Sequence, residues 1–281
     1  MRWAVIGSTG LFGRDLLSYL SKQGESAKGF NRENLELIDD PNQLAQQLGG
    51  YDVWVNCIGY TQVDKAESEP HEANLVNGVY AGALAQAAAL SGARFIQIST
   101  DYVFDGLSKT PYSTTSLINP KTTYGKSKAL GEKLVAESGA EYSILRTAWL
   151  YGSNGQCFPR VMADLLAKNG SVRVVSDQYG QPTWTRDLAE IVLQVANLAE
   201  MPRIVHAVSS GQATWAELAK EVATSIGMTE EVIEEISTAD YPTQAKRPAW
   251  SVLDNSSTLV TPIGTWRERW RVAAPKVLRN I

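Results

Sequence analysis

A chain of 281 residues, 44% apolar and 20% charged, has ample core for one large domain or two interlocked ones and the balance of an ordinary globular enzyme. A net charge of −4 with no long basic run argues against nucleic acid or an anionic membrane as a partner. The two cysteines, Cys57 and Cys157, and the two histidines form no metal-ligand cluster, which fits a reduced cytosol and no zinc.

The N-terminal run Met1 to Ile6 is apolar but too short for a signal peptide, and no stretch approaches the roughly 20 apolar residues of a membrane helix. Trp3 to Ile6 reads as a strand, and Leu11 to Leu20, with Phe12, Leu16, Leu17 and Leu20 on one side, as a helix. Strands are expected at Ser26 to Phe30, Leu35 to Ile38, Val53 to Cys57, Phe95 to Thr100 and Tyr142 to Thr147. Helices are expected between them at Pro41 to Leu48, Pro70 to Leu90 and Thr122 to Glu137. This strict alternation implies a Rossmann-like, doubly wound α/β fold: a parallel sheet covered on both faces, with ligands at the carboxyl ends of its strands. Beyond Thr147 the pattern loosens, with helices at Phe158 to Ala167 and Thr185 to Leu198 and a strand at Val172 to Val175. Thr214 and Glu217 make a capping box for a helix reaching Ile226. The tail from Pro248 carries Trp250, Trp266 and Trp270. Residues 1–150 are therefore expected to form the dinucleotide-binding domain, with a returning segment near 180–205, and residues 151–281 a smaller α/β substrate domain.

Gly7, Gly10 and Gly13 follow the first strand and open the first helix, where glycines let the backbone turn tightly and approach a pyrophosphate at the helix N-terminus. At the end of the second strand stand Asn31 and Arg32, where a ribose-binding carboxylate would favour NAD. A guanidinium in place of that carboxylate points to NADPH, with NADH left open.

Tyr124 and Lys128 are spaced i, i+4 on the Thr122 to Glu137 helix and so share a face. Lowering a phenol from about 10 to near 7 requires roughly 4 kcal/mol. One ammonium about 4 Å away at an effective dielectric of about 20 supplies roughly that much, so Lys128 is expected to make Tyr124 a proton donor and acceptor near neutral pH. Ser99-Thr100 ends the preceding strand, where a hydroxyl can orient a substrate carbonyl towards Tyr124. Glycine loop, hydroxyl and Tyr/Lys pair together read as a nicotinamide-dependent enzyme acting on a carbonyl or an alcohol.

The spacing GxxGxxG with YxxxK is similar to that of short-chain dehydrogenase/reductases. The words Ser99-Thr100-Asp101-Tyr102-Val103-Phe104-Asp105-Gly106, Tyr124-Gly125-Lys126-Ser127-Lys128, Arg146-Thr147-Ala148-Trp149-Leu150-Tyr151-Gly152 and the late Arg247-Pro248 resemble the dTDP-4-dehydrorhamnose reductase family of the extended branch, and the likeness spans essentially the whole chain. It implies that Tyr124 protonates O4 of a 4-keto sugar on dTDP as the nicotinamide delivers hydride to C4, with Lys128 on the nicotinamide ribose and Thr100 completing the trio. It places Gly10, Leu11, Phe12, Asp39, Gly59, Tyr60 and Thr61 on the cofactor, and Val63, Asp101, Tyr102 and Trp149 on the sugar. Departures are Cys57-Ile58-Gly59 for three alanines, Cys157 for an asparagine, and Trp250 for the asparagine before Ser251. Some members form metal-bridged dimers; Asp15 matches one such position, but Arg186 replaces a second acid, so no metal is expected and a homodimer is left open. Tyr102 stands where a 4,6-dehydratase carries glutamate, which argues against elimination. A related reductase with another product, such as an L-talo sugar, and a non-catalytic NADP-binding subunit like that of methionine adenosyltransferase are the alternatives.

Overall fold

The computed structural model describes residues 1–279; the last two positions of the expected second domain lie outside them. Strands β1 (Arg2–Ile6), β2 (Ser26–Phe30), β3 (Val53–Asn56), β4 (Arg94–Thr100) and β5 (Tyr142–Thr147) form one sheet with the later edge strand Ile204–His206. Its order is edge strand, β5, β4, β3, β1, β2, and every pairing is parallel. Strands covered on both faces have no wet side, and β3 and β5 are buried at every position. The helices are α1 (Leu11–Lys22), α2 (Pro41–Leu48), α3 (Val63–Ser68), α4 (Pro70–Asn74), α5 (Tyr80–Ser91), α6 (Thr123–Ala136), α7 (Phe158–Asn169), α8 (Thr185–Asn197), α9 (Trp215–Ser225) and α10 (Trp266–Val277).

Side chains alternate across the sheet and so build two cores. Trp3 and Val5 pack with Leu16, Leu20, Leu188 and Val192 of α1 and α8 on one face. Ala4 and Ile6 pack with Leu44, Leu84 and Val135 of α2, α5 and α6 on the other. A third core joins Met162 and Leu166 of α7, Val222 of α9, and Trp270 and Val277 of α10, beside the paired strands Val172–Val175 and Ile233–Ile236. Two of the late tryptophans, Trp266 and Trp270, are thus core residues, while the Trp250 indole donates to the Thr110 carbonyl at 3.0 Å. The capping box at Thr214 and Glu217 forms as its spacing predicts.

Two expectations are corrected. Leu35–Ile38 is not a strand. The Gln47 side chain exchanges hydrogen bonds with the backbone of Glu36, at 3.1 and 3.3 Å, and occupies the polar groups a neighbouring strand would use. The single helix expected over Pro70 to Leu90 is three pieces, α4, a π turn at Leu75–Val79, and α5. The π turn carries Asn77 inward to a place the regular helix would not offer it. Among the described residues no helix is long and apolar enough to cross a membrane.

Candidate active site

The sheet order reverses beside β1, so the loops after β1 and β3 face one another across the crevice where doubly wound folds bind ligands. They touch: a Cβ on Gly7, whose φ is +88°, would fall 2.9 Å from the Ile58 amide nitrogen, and one on Gly13 would fall 2.3 Å from the Gly7 carbonyl oxygen. A side chain at Gly7 would force the two loops apart, and one at Gly13 would push α1 off the glycine turn. Two cavities open from this junction and share Gly10, Cys57, Ile58 and Gly59 on their walls. The first, about 830 Å³, runs along Gly7, Asn31, Arg32 and Leu37; the second, about 550 Å³, runs past Leu11 and Phe12 to Thr100, Tyr124 and Lys128. A groove with a glycine turn at its centre and a guanidinium at one end fits an extended dinucleotide.

Of the residues expected on the cofactor, Asp39 is exposed and off the wall, and Gly13 serves loop packing. The Asn31 side chain is occupied by its own turn, accepting from the Glu33 amide at 2.8 Å. Tyr60 turns its phenol to Glu69 at 2.7 Å, while Thr61 and Val63 line the second cavity. The Gly59-to-Thr61 turn is fastened by Asn77, whose Oδ1 accepts from the Tyr60 amide at 2.8 Å and whose Nδ2 donates to the Tyr60 carbonyl at 3.1 Å and to Ser127 at 2.9 Å. Sequence reading missed Asn77, because only the π turn aims it there.

Thr122 caps helix α6, its hydroxyl accepting from the Gly125 amide at 3.0 Å. Gly125 lets it approach the short turn Asp101–Val103: a Cβ there would lie 2.2 Å from the Tyr102 carbonyl oxygen. Tyr124 consequently meets Tyr102 edge to face at 5.5 Å and stands beside Thr100. Burial pushes its phenol up to about 12, opposed by the Thr100 hydroxyl and reinforced by the Asp101 carboxylate. The lowering influence is thus Thr100 and not Lys128, whose ammonium donates to the Ile98 carbonyl at 2.6 Å. Burial holds Lys128 down at about 8, against the pull of Glu132. The Cys57 thiol, on the same wall, is pushed up by burial and stays neutral.

Glu132 and Arg146 were also missed. Arg146 holds the Glu132 carboxylate by two bonds, 3.0 and 2.7 Å, and Ser99 donates to it at 2.6 Å, all of them buried. The spacing of four from Lys128 to Glu132 repeats that from Tyr124 to Lys128, so the signal was present in the helical period.

At the far wall, Trp149 has φ +45°, the one positive value outside glycine among the described residues, which costs about 1–2 kcal/mol. It is held there from both sides. A Cβ on Gly180 would fall 2.4 Å from its ring, and Trp215 stacks on it with centroids 3.5 Å apart and planes 6° apart. Trp215 lines the cavity too, and nothing in the linear pattern marked it. Asp15, the position matching a bridging carboxylate, accepts hydrogen bonds from Asn154 and Thr185, while Arg186 lies over the Trp184 ring.

Comparison with known proteins agrees with this geometry. The family described as RmlD substrate binding domain matches residues 1–281. The dTDP-4-dehydrorhamnose reductase of Streptomyces griseus is 38% identical over 99% of this chain and 90% of its own length. A probable dTDP-4,6-dihydroxy-2-methyloxan-3-one 4-ketoreductase of Streptomyces antibioticus is 35% identical over 99% of this chain and 96% of its own. Among solved structures, dTDP-4-dehydrorhamnose reductase from Bacillus anthracis in complex with NADP superposes with a TM-score of 0.91 at 29% identity, covering 97% of this chain and 98% of that one. Matched along its whole length, glycine loop and Tyr/Lys helix included, this chain belongs to the RmlD substrate binding domain family.

Proposed function

We propose that this protein reduces the 4-keto group of dTDP-4-dehydro-L-rhamnose to give dTDP-L-rhamnose, with NADPH as reductant. The observation that carries the reading is the convergence of Thr100, Tyr124 and Lys128 in one cavity continuous with the glycine loop. Relatives carrying that reductase name, and a structural neighbour of the same name in complex with NADP, support substrate and cofactor.

NADPH, when bound, supplies the hydride that C4 receives. Gly7, Gly10, Leu11, Phe12, Gly59 and Thr61 would hold it, with Arg32 at the adenosine end, while Asp39 lies off both cavity walls. Tyr124 gives its proton to O4. Burial keeps that phenol protonated at neutral pH, so the proton for O4 is in place before hydride arrives. Thr100 orients the carbonyl, Lys128 holds the ribose, and Val63, Asp101, Tyr102 and Trp149 face the sugar. The second domain of residues 151–281, apart from the returning segment near 180–205, would carry the far wall with Trp215.

The test is NADPH oxidation followed by absorbance, with dTDP-4-dehydro-L-rhamnose generated in place and the product sugar identified. Turnover to dTDP-L-rhamnose is expected. Another epimer would reassign the product, and NADPH binding without oxidation of this substrate would overturn the reading.

A further inference from the structure

Trp149 stands in a left-handed backbone conformation that costs energy for any residue but glycine, and two short ladders surround it. In the first, its carbonyl accepts from the Thr183 amide at 3.3 Å, and the residues that follow it, Leu150–Tyr151, pair in parallel with Thr183–Trp184. In the second, Tyr179–Gly180 runs antiparallel to Ala213–Thr214, with Ala213 opposite Gly180. One strand of this second ladder brings Gly180 against the indole, where a Cβ would lie 2.5 Å from Nε1 and 2.6 Å from Cζ2. The other strand leads straight into α9, whose first residue is Trp215. Thr214 caps that helix: its hydroxyl accepts from the Glu217 amide at 3.1 Å, and its own amide donates to the Glu217 carboxylate at 2.8 Å. Phe158 backs the Trp215 ring, with centroids 4.7 Å apart. The two indoles consequently lie parallel with centroids 3.5 Å apart and almost no offset, an arrangement that aromatic rings do not favour by themselves. A backbone outlier and an unfavoured stack at one residue mean that the surroundings, not the residue's own preferences, decide where the indole stands. Trp149 and Trp215 line the catalytic cavity, and Gly180 does not.

We propose that the ladder of Tyr179–Gly180 with Ala213–Thr214 is a clamp that sets the affinity for the sugar nucleotide, with Gly180 and Trp215 as positioning residues for the Trp149 indole. This rests on the reductase reading, which puts the sugar against Trp149. An indole free to relax out of its left-handed backbone would have to be reordered each time substrate bound, and that ordering cost is subtracted from affinity. Held in place beforehand, it offers the sugar a wall already formed. The effect of the clamp falls on the sugar and not on the proton donor, because Thr100 is carried by β4, and Tyr124 and Lys128 by α6.

The experiment measures KM and kcat for dTDP-4-dehydro-L-rhamnose, and the Kd of NADPH, in the full chain as wild type, Gly180→Ala, Trp149→Ala and the double variant. The methyl of Gly180→Ala should push the indole aside and raise KM about tenfold, with a smaller change in kcat and an NADPH Kd within about twofold of wild type. Trp149→Ala removes the ring that the methyl meets, so the double variant should match Trp149→Ala within about twofold. A wild-type KM in Gly180→Ala would overturn the clamp. So would effects of the two changes that multiply, because a methyl that merely disturbs the ladder does so whether or not the indole is there. Should Gly180→Ala fail to fold by thermal melting, Trp215 decides: Trp215→Ala should raise KM about tenfold and Trp215→Phe should recover most of that loss. A wild-type KM in Trp215→Ala, or no recovery in Trp215→Phe, would overturn the clamp on that side. If wild type oxidises no NADPH with this substrate, the reductase reading fails, and the clamp's assignment to the sugar falls with it.

Discussion

The two cavities that meet at Gly10 are built in opposite ways. The end that holds Thr100, Tyr124 and Lys128 is made from the tips of β4 and β5 and one face of α6, and its charged groups are buried and bonded, Glu132 to Arg146 and Ser99, Lys128 to the Ile98 carbonyl. The other end is a loop of exposed side chains, Arg32, Glu33 and Glu36 among them, shaped by turns that Asn31 and Asn34 make with their own backbone. On the proposed reading the chemistry would sit on rigid elements, where a misplaced proton donor is costly, and cofactor preference on a loop that can vary without disturbing the sheet.

The largest expected effect probes the rigid end. Tyr124→Phe removes only the phenol oxygen, so NADPH affinity should hold while turnover falls at least about a hundredfold. Titration of NADPH binding beside steady-state kinetics separates the two, and turnover near that of wild type would remove Tyr124 as the donor.

Next comes a stability measurement. Lys128 is protonated at neutral pH although burial holds its ammonium down at about 8, compared with about 10.4 for a free lysine. Below about pH 8 folded and unfolded chains both carry the proton and the full cost is present; between about 8 and 10.4 the unfolded chain binds more protons, so this group's contribution to stability improves as pH rises. Lys128→Met should therefore be more stable than wild type at pH ~7, by no more than about 3 kcal/mol, with the advantage gone by pH ~10. Urea unfolding at the two pH values tests this. A variant less stable at the lower pH would mean that the bond to Ile98 outweighs the burial of charge, and that the rigid end is not strained by its lysine.

The same contrast explains what could be read from the chain. The fold was legible because parallel strands leave long apolar runs and helices leave their period: β1 to β5 and α6 lie within one or two residues of where the pattern places them. Tyr124 and Lys128 follow from a spacing of four, and Glu132 would have followed by taking one more turn. Leu35–Ile38 has the apolar content of a strand, but Gln47 from α2 takes its backbone bonds, a tertiary contact with no local mark. Asn77 depends on a π turn and Trp215 on a stack across two elements, so neither leaves a period to detect. Asp39, placed by likeness alone, lies on the loop, where a shift of a residue or two separates the cavity wall from solvent.

The smallest effect is expected at the loop end. Arg32 is exposed and shares its wall with Glu33 and Glu36, so its attraction for a 2′-phosphate is screened by water and opposed by two neighbouring carboxylates. An exposed pair of this kind is worth about 1 kcal/mol, which is roughly a fivefold change in affinity. Arg32→Ala should therefore lower the preference for NADPH over NADH by about that factor, leave NADH binding nearly unchanged, and matter less as salt is raised. Binding titrations with both cofactors at low and high ionic strength give the ratio directly. An unchanged ratio would move cofactor choice away from this side chain and onto the shape of the turn that Asn31 and Asn34 hold, in which case the loop end would be as much a built structure as the catalytic one.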